Sequence, residues 1–206
     1  ALDEADRMLV NQVLGEGEVA AQASGEPSVL AQESVFAGVW RVLERQGGQV
    51  VRDTIEGGAF PQAIARAARD EGSPLAPLPA NPPADTMNAP SVLEELRDRS
   101  LAWREGQPPH VVNLSLLPLT PGDSEYFEQR LGRGRVMVLS RGYGNCRIVD
   151  TRASHVWRVT YFNSQDMIIL DTLEVGAVPE VACAARQDLE DSAERLAEVL
   201  QWVERS

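Results

Sequence analysis

The sequence predicts an α+β fold built from two tandem units that pack about a pseudo-twofold axis. Three observations carry that prediction. A shift of 117 residues lays Leu14-Gly15-Glu16-Gly17-Glu18-Val19 on Leu131-Gly132-Arg133-Gly134-Arg135-Val136. The same shift lays Val39-Trp40-Arg41-Val42 on Val156-Trp157-Arg158-Val159 without a gap. One inserted residue later, Asp53-Thr54-Ile55-Glu56 meets Asp171-Thr172-Leu173-Glu174, and Ala59-Phe60-Pro61 meets Ala177-Val178-Pro179. Two copies are too few for a solenoid, so a paired, two-lobed globule is expected.

Each unit reads as a helix, a four-strand antiparallel meander and a following helix. Asp3 and Thr120 are the expected N-caps, with Pro121 at the first helical position and Asp123 three residues after the second cap. The helices they open run to Leu14 and Leu131, where Gly15 and Gly132 suit the left-handed position that ends a helix. Strands follow from Val19 and from Val136. After turns at Ser24-Gly25-Glu26-Pro27 and Gly142-Tyr143-Gly144-Asn145, second strands cover 28–33 and 146–151. Third strands cover 38–43 and 155–162, and fourth strands cover 50–56 and 167–174. Gly47-Gly48 and Asn163-Ser164 make the hairpin turns between the last two. The next helices start near Pro61 and Pro179.

The first unit spans residues 1–70, and a proline-rich linker spans 71–90. The second unit spans 91–206, with an extra N-terminal helix and strand and a long C-terminal helix. Pro74, Pro77, Pro79, Pro82, Pro83 and Pro90 make the linker extended, with Leu75 and Leu78 available to tack it to a surface. Ser91-Val92-Leu93-Glu94 reads as a capping box, and Leu93, Leu96 and Trp103 recur at helical spacing after it. Residues 111–116 read as a strand with Val112, Leu114 and Leu116 on one face; the first unit's matching strand would precede residue 1. The last helix, 188–204, carries Leu189, Ala193, Leu196, Leu200 and Val203 in a stripe that should face the core. The register places the first residue in mid-unit, as in a fragment of a longer chain.

Composition narrows the function. A net charge of −12 argues against nucleic acid, whose binding depends on clustered Lys and Arg. It permits a basic partner reached by electrostatic steering. Two cysteines and two histidines without CxxC or HxxxH spacing leave no expected metal site and no cofactor. The low cysteine count fits a reducing cytoplasm, and no apolar run approaches the ~20 residues of a membrane helix.

Gly15-x-Gly17 and Gly132-x-Gly134 stand between helix and strand, the reverse of a phosphate loop, so they read as helix terminators. The repeated Trp40-Arg41 and Trp157-Arg158 read first as core anchors and second as a partner-binding hot spot. Alternation puts each tryptophan and its arginine on opposite faces of their strand. Asp53 and Glu56, with Asp171 and Glu174, are the most chemistry-like residues. The two acids of one copy point to opposite faces, so a carboxylate pair would need both copies to converge. The plainer reading sets Glu56 and Glu174 beside a following helix N-terminus. Cys146 and His155 on neighbouring strands are a weak thiol–base candidate.

The phrases 14–19 and Phe36-Ala37-Gly38-Val39-Trp40-Arg41-Val42, with Val112-Asn113-Leu114-Ser115-Leu116-Leu117-Pro118-Leu119-Thr120-Pro121-Gly122-Asp123, resemble the HupH (HyaF-type) hydrogenase expression protein family. Ala37 replaces the family's proline, Glu33-Ser34 replaces its acidic–threonine pair, and the second copy reads Ser154-His155. The resemblance implies a non-enzymatic accessory chaperone in nickel–iron hydrogenase maturation. It further implies binding to the small-subunit precursor before assembly and export, beside a thioredoxin-like companion. It assigns no catalytic residues. Two other readings stay open: an enzyme using the repeated acids, metal-assisted, and a homo-oligomeric scaffold, at its simplest a homodimer.

Overall fold

The computed structural model describes residues 4–142 and 144–205. In chain order the first stretch is α1 (Glu4–Leu14), β1 (Val19–Ala23), β2 (Ser28–Glu33), β3 (Val39–Gln46), β4 (Gln49–Gly57) and α2 (Gln62–Glu71). The second is α3 (Ala89–Ala102), β5 (His110–Asn113), α4 (Pro121–Leu131), β6 (Val136–Ser140), β7 (Asn145–Asp150), β8 (Val156–Phe162), β9 (Ile168–Val175) and α5 (Arg186–Glu204). The nine strands among the described residues lie in one sheet, ordered β4-β3-β2-β1-β6-β7-β8-β9-β5. Every neighbouring pair in it is antiparallel.

The two meanders join through β1 and β6, whose register sets Ala21 opposite Val138. No linker or loop separates them at that seam, because the backbone ladder runs straight through. On one face of the sheet, Trp40, Val42, Ala21, Val138, Ile148, Trp157 and Val159 form a single buried cluster under Ala63 and Ile64 of α2. The opposite face carries a second cluster only toward β9. There Val92, Leu93 and Leu96 of α3 meet Tyr126 and Phe127 of α4 over Val156, Leu173 and Val175.

Local chemistry explains the element ends. Thr120 accepts from the Asp123 backbone N–H and Asp123 returns the bond to the Thr120 N–H, a complete capping box at α4. Gly15 (φ 55°) and Gly132 (φ 61°) close α1 and α4 in the left-handed region, where a side chain would be strained. The expected cap at Asp3 and the turn residue Tyr143 lie outside the described residues.

Several expectations need correction. The helix α3 begins at Ala89, so Ser91 caps nothing. Its first N–H groups are taken by a residue far away in sequence: one Asp123 carboxylate oxygen accepts from Met87, Asn88 and Ala89. That long-range partner lets Pro90 sit in the first turn, where its missing N–H costs little. The strand expected over 111–116 stops at Asn113, whose side chain accepts from the Ser115 N–H and turns the chain into a 3-10 turn. Leu114 is therefore buried while Leu116 is exposed, and they do not share a face.

Pro179 opens a 3-10 turn, Glu180–Ala182, and α5 follows only from Arg186. The apolar stripe of α5 does not face the core along its length. Leu189 lies against Gly38, and Arg195 stacks over the Phe36 ring at 4.9 Å. Beyond them Leu200 and Val203 are exposed. The stretch expected as an extended linker over 71–90 loses both ends to helices, with Glu71 in α2 and Ala89-Pro90 in α3, and turns where the Thr86 N–H bonds the Pro83 carbonyl. Between the helices it is held down: Leu75 is buried, and Ser73 bridges to Ala153.

Candidate functional site

The side of the sheet opposite Trp40 and Trp157 is open over its centre. Strand alternation sends Ala20 and Gln22 of β1, Leu30 and Gln32 of β2, Leu43 of β3, and Met137 and Leu139 of β6 to this side. Together with Arg41 they line a shallow depression of about 310 Å³. It adjoins a second hollow of about 400 Å³ that shares Gln22 and Met137 and reaches Phe127, Glu128, Arg147 and Arg158. Leu139, which lines the first depression, remains exposed. Three aliphatic side chains and a methionine left on an open sheet face are unusual, because β-strand faces bury such residues where another layer is available.

Two ion-pair clamps bound this floor. Arg41 grips both carboxylate oxygens of Asp53 across β3 and β4, at 3.1 and 2.8 Å. Its remaining nitrogen bonds Asn11 of α1. Arg158 grips Asp171 across β8 and β9 at 3.0 and 2.7 Å, and bonds Glu128 of α4 at 2.7 Å. Each clamp ties a helix to the sheet, which fixes the walls of the open floor. The side-chain hydrogen bond from Arg41 holds the Asp53 carboxyl below its usual range, against a smaller effect of burial.

The sequence-predicted residues divide accordingly. Trp40 and Trp157 are buried, which contradicts the expectation that they bind a partner and leaves them as core anchors. Trp40 packs edge-on to Phe60 at 6.0 Å and donates its indole N–H to the Gly58 carbonyl at 2.9 Å. With 0% and 4% of their surface exposed, Trp40 and Trp157 have almost nothing to offer a partner unless the fold opens. Arg41, Arg158, Asp53 and Asp171 border the open face and stay accessible in part. Glu56 and Glu174 sit on the other face, opposite Trp40 and Trp157 in the ladder. Glu56 accepts from the Gln62 N–H at 2.7 Å and so caps α2. Glu174 accepts from the Thr172 hydroxyl, and burial pushes its carboxyl upward.

The acids of the two halves do not converge. Asp53 and Asp171 lie on β4 and β9, with six strands between them in the sheet. Seven interstrand spacings of about 4.8 Å make that roughly 34 Å, far beyond any shared proton or metal. Among the described residues, no group of three His, Cys, Asp or Glu side chains is placed to hold a metal ion. Cys146 and His155 are also separated. Cys146 pairs with Tyr161 in the ladder, while His155 lies at the other end of that hairpin, stacked on Trp103 at 4.4 Å. Burial pushes the Cys146 thiol up to about 11, opposite to what a nucleophile needs.

Sequence reasoning missed Leu30, Gln32, Met137 and Leu139, although alternation counted from Arg41 and across the β1–β6 pair would have reached them. It also missed Asn11 and Glu128, which the 117-residue shift superposes.

A family model described as "HupH hydrogenase expression protein, C-terminal conserved region" matches residues 2–78 and 86–203. The chain is 52% identical over 203 residues to hydrogenase expression/formation protein HoxQ of Cupriavidus necator, covering 98% of this chain and 72% of that one. It is 49% identical over 204 residues to hydrogenase expression/formation protein HupH of Rhodobacter capsulatus, covering 98% and 71%. It is 34% identical over 204 residues to the hydrogenase-1 operon protein HyaF of Escherichia coli, again covering 98% and 71%. Among solved structures, hydrogenase expression protein HupH from Thiobacillus denitrificans is 32% identical with a TM-score of 0.50, covering 57% of this chain and 96% of that chain. No helix among the described residues is long and apolar enough to cross a membrane.

Proposed function

The chain belongs to the HupH hydrogenase expression protein family, and from that premise we propose that it holds a hydrogenase small-subunit precursor on its open sheet face during maturation. The relatives are hydrogenase expression/formation proteins, which supports a role in hydrogenase maturation. The observation that carries the binding reading is the apolar floor of Leu30, Leu43, Met137 and Leu139 between the two arginine clamps. In this reading the protein works by binding and shielding, without chemistry of its own, in the cytoplasm and beside a thioredoxin-like companion.

The two halves, 1–70 and 91–206, are read as duplicated units joined by the 71–90 linker. Their approximate twofold axis would pass through the Ala21–Val138 pair, since these residues are also 117 apart. Such an axis would relate α1 to α4, the helices that Arg41 and Arg158 tie to the sheet through Asn11 and Glu128. The net charge of −12 would speed encounter with a basic segment of the client. Added salt should then slow association, because exposed charges are screened over about 10 Å at 0.1 M.

The test is co-purification from cells that express the hydrogenase operon, with wild-type protein and with Leu139→Asp. Recovery of the small-subunit precursor by the wild type, and its loss with the variant, is the expected result. Absence of every hydrogenase component from the wild-type sample removes the reading.

A further inference from the structure

The two halves differ in what covers their outer corner, and the difference is confined to equivalent positions. In the second half, α3 and β5 cap the outside: β5 pairs antiparallel along β9 from His110↔Val175 to Asn113↔Thr172. Beneath them Leu173 is 1% exposed and Tyr126 of α4 is 3% exposed. Their counterparts under the sequence shift are Ile55 on β4 and Leu9 on α1. Ile55 is 51% exposed and Leu9 is 44% exposed. The β4 edge from Thr54 to Gly57, matching the segment that β5 covers, has no strand beside it among the described residues.

An edge strand that presents isoleucine and valine with open backbone groups is a template for another strand. The relatives are longer than this chain, which spans 72% of HoxQ and 71% of HyaF. The conserved region they share is described as C-terminal. We propose that the β4 edge and the outer side of α1 are the seat of a helix-then-strand segment found N-terminal to the conserved region in these longer proteins. The strand pairs antiparallel with Thr54–Gly57 as β5 pairs with β9. The helix lies over Leu9 and Ile55 as α3 lies over Tyr126 and Leu173. Nothing in this depends on the maturation reading.

Hydrogen–deuterium exchange tests it on two proteins: this 206-residue chain, and the same chain carrying at its N-terminus the upstream segment of Cupriavidus necator HoxQ. The outward amides of 54–57 should exchange at least about tenfold more slowly in the extended protein. A second measurement compares the unfolding midpoint of Ile55→Asp in both. The substitution should be nearly silent in the 206-residue chain and clearly destabilising in the extended one. Equal exchange in the two proteins overturns the proposal. So does protection that appears in the short chain as its concentration rises, which would assign the edge to a second copy. Equal destabilisation by Ile55→Asp in both also overturns it.

Discussion

Arg158 and Asp171 meet across β8 and β9 with both carboxylate oxygens engaged, at 3.0 and 2.7 Å, while Arg41 and Asp53 repeat that geometry in a more exposed setting. The depth of the two pairs decides their worth. A half-exposed ion pair contributes ~0–1 kcal/mol, whereas removing one partner of a shielded pair strands the other. Arg158→Ala should lower stability by about 2 kcal/mol and Arg41→Ala by less than about 1 kcal/mol. Urea unfolding midpoints of the two variants check the order.

Asp123 supplies a pH dependence. Burial raises its carboxyl, but N–H groups of Ala89, Thr120 and Met87 and the Thr120 hydroxyl outweigh that and hold it at about 2. The folded value lies below the unfolded one, so its contribution is present above about pH 4 and is lost as pH falls toward 2. A depression of that size contributes about 2 kcal/mol. Asp123→Asn should remove about that much at pH 7 and flatten the stability profile between pH 4 and 2. Unfolding titrations at pH 7 and 3 measure both effects.

Legibility in the sequence followed the range of the causes. Gly15, Gly132 and the Thr120–Asp123 capping box are local, and the helix ends they set were readable. The start of α3 was not, because its cap comes from Asp123, more than thirty residues away. The end of β5 was missed because one Asx bond at Asn113 overrides the alternation of Val112, Leu114 and Leu116. At the candidate site, strand alternation correctly set Arg41 and Trp40 on opposite faces. The open floor itself was hidden, since an uncovered sheet face and a covered one carry the same alternation. The terminal stripe of α5 was misread for the same reason: periodicity tells which side is apolar, not what covers it.

Gly17 tests the path from α1 into β1. A Cβ there would stand 2.2 Å from the Ser34 carbonyl oxygen, a backbone atom that cannot swing away. Gly17→Ala should cost at least about 2 kcal/mol, read as a lowered Tm by circular dichroism. Gly47→Ala has nothing within 4 Å and meets only its φ of 55°, so its cost should be smaller.

The cysteines should be silent. Burial pushes both Cys146 and Cys183 up to about 11. At pH 8 a thiol of that kind is about one part in a thousand thiolate. Native protein should therefore release almost no chromophore from a disulfide reagent over minutes, and two equivalents once unfolded. Rapid native labelling of either thiol would contradict this placement.

Client binding on the open sheet face is tested most directly by titrating purified protein with purified hydrogenase small-subunit precursor, wild type beside Leu139→Asp, at low and high salt. A complex that weakens with salt, and at least about tenfold with a variant that keeps its Tm, is the predicted result. No binding, or binding that ignores Leu139, contradicts it.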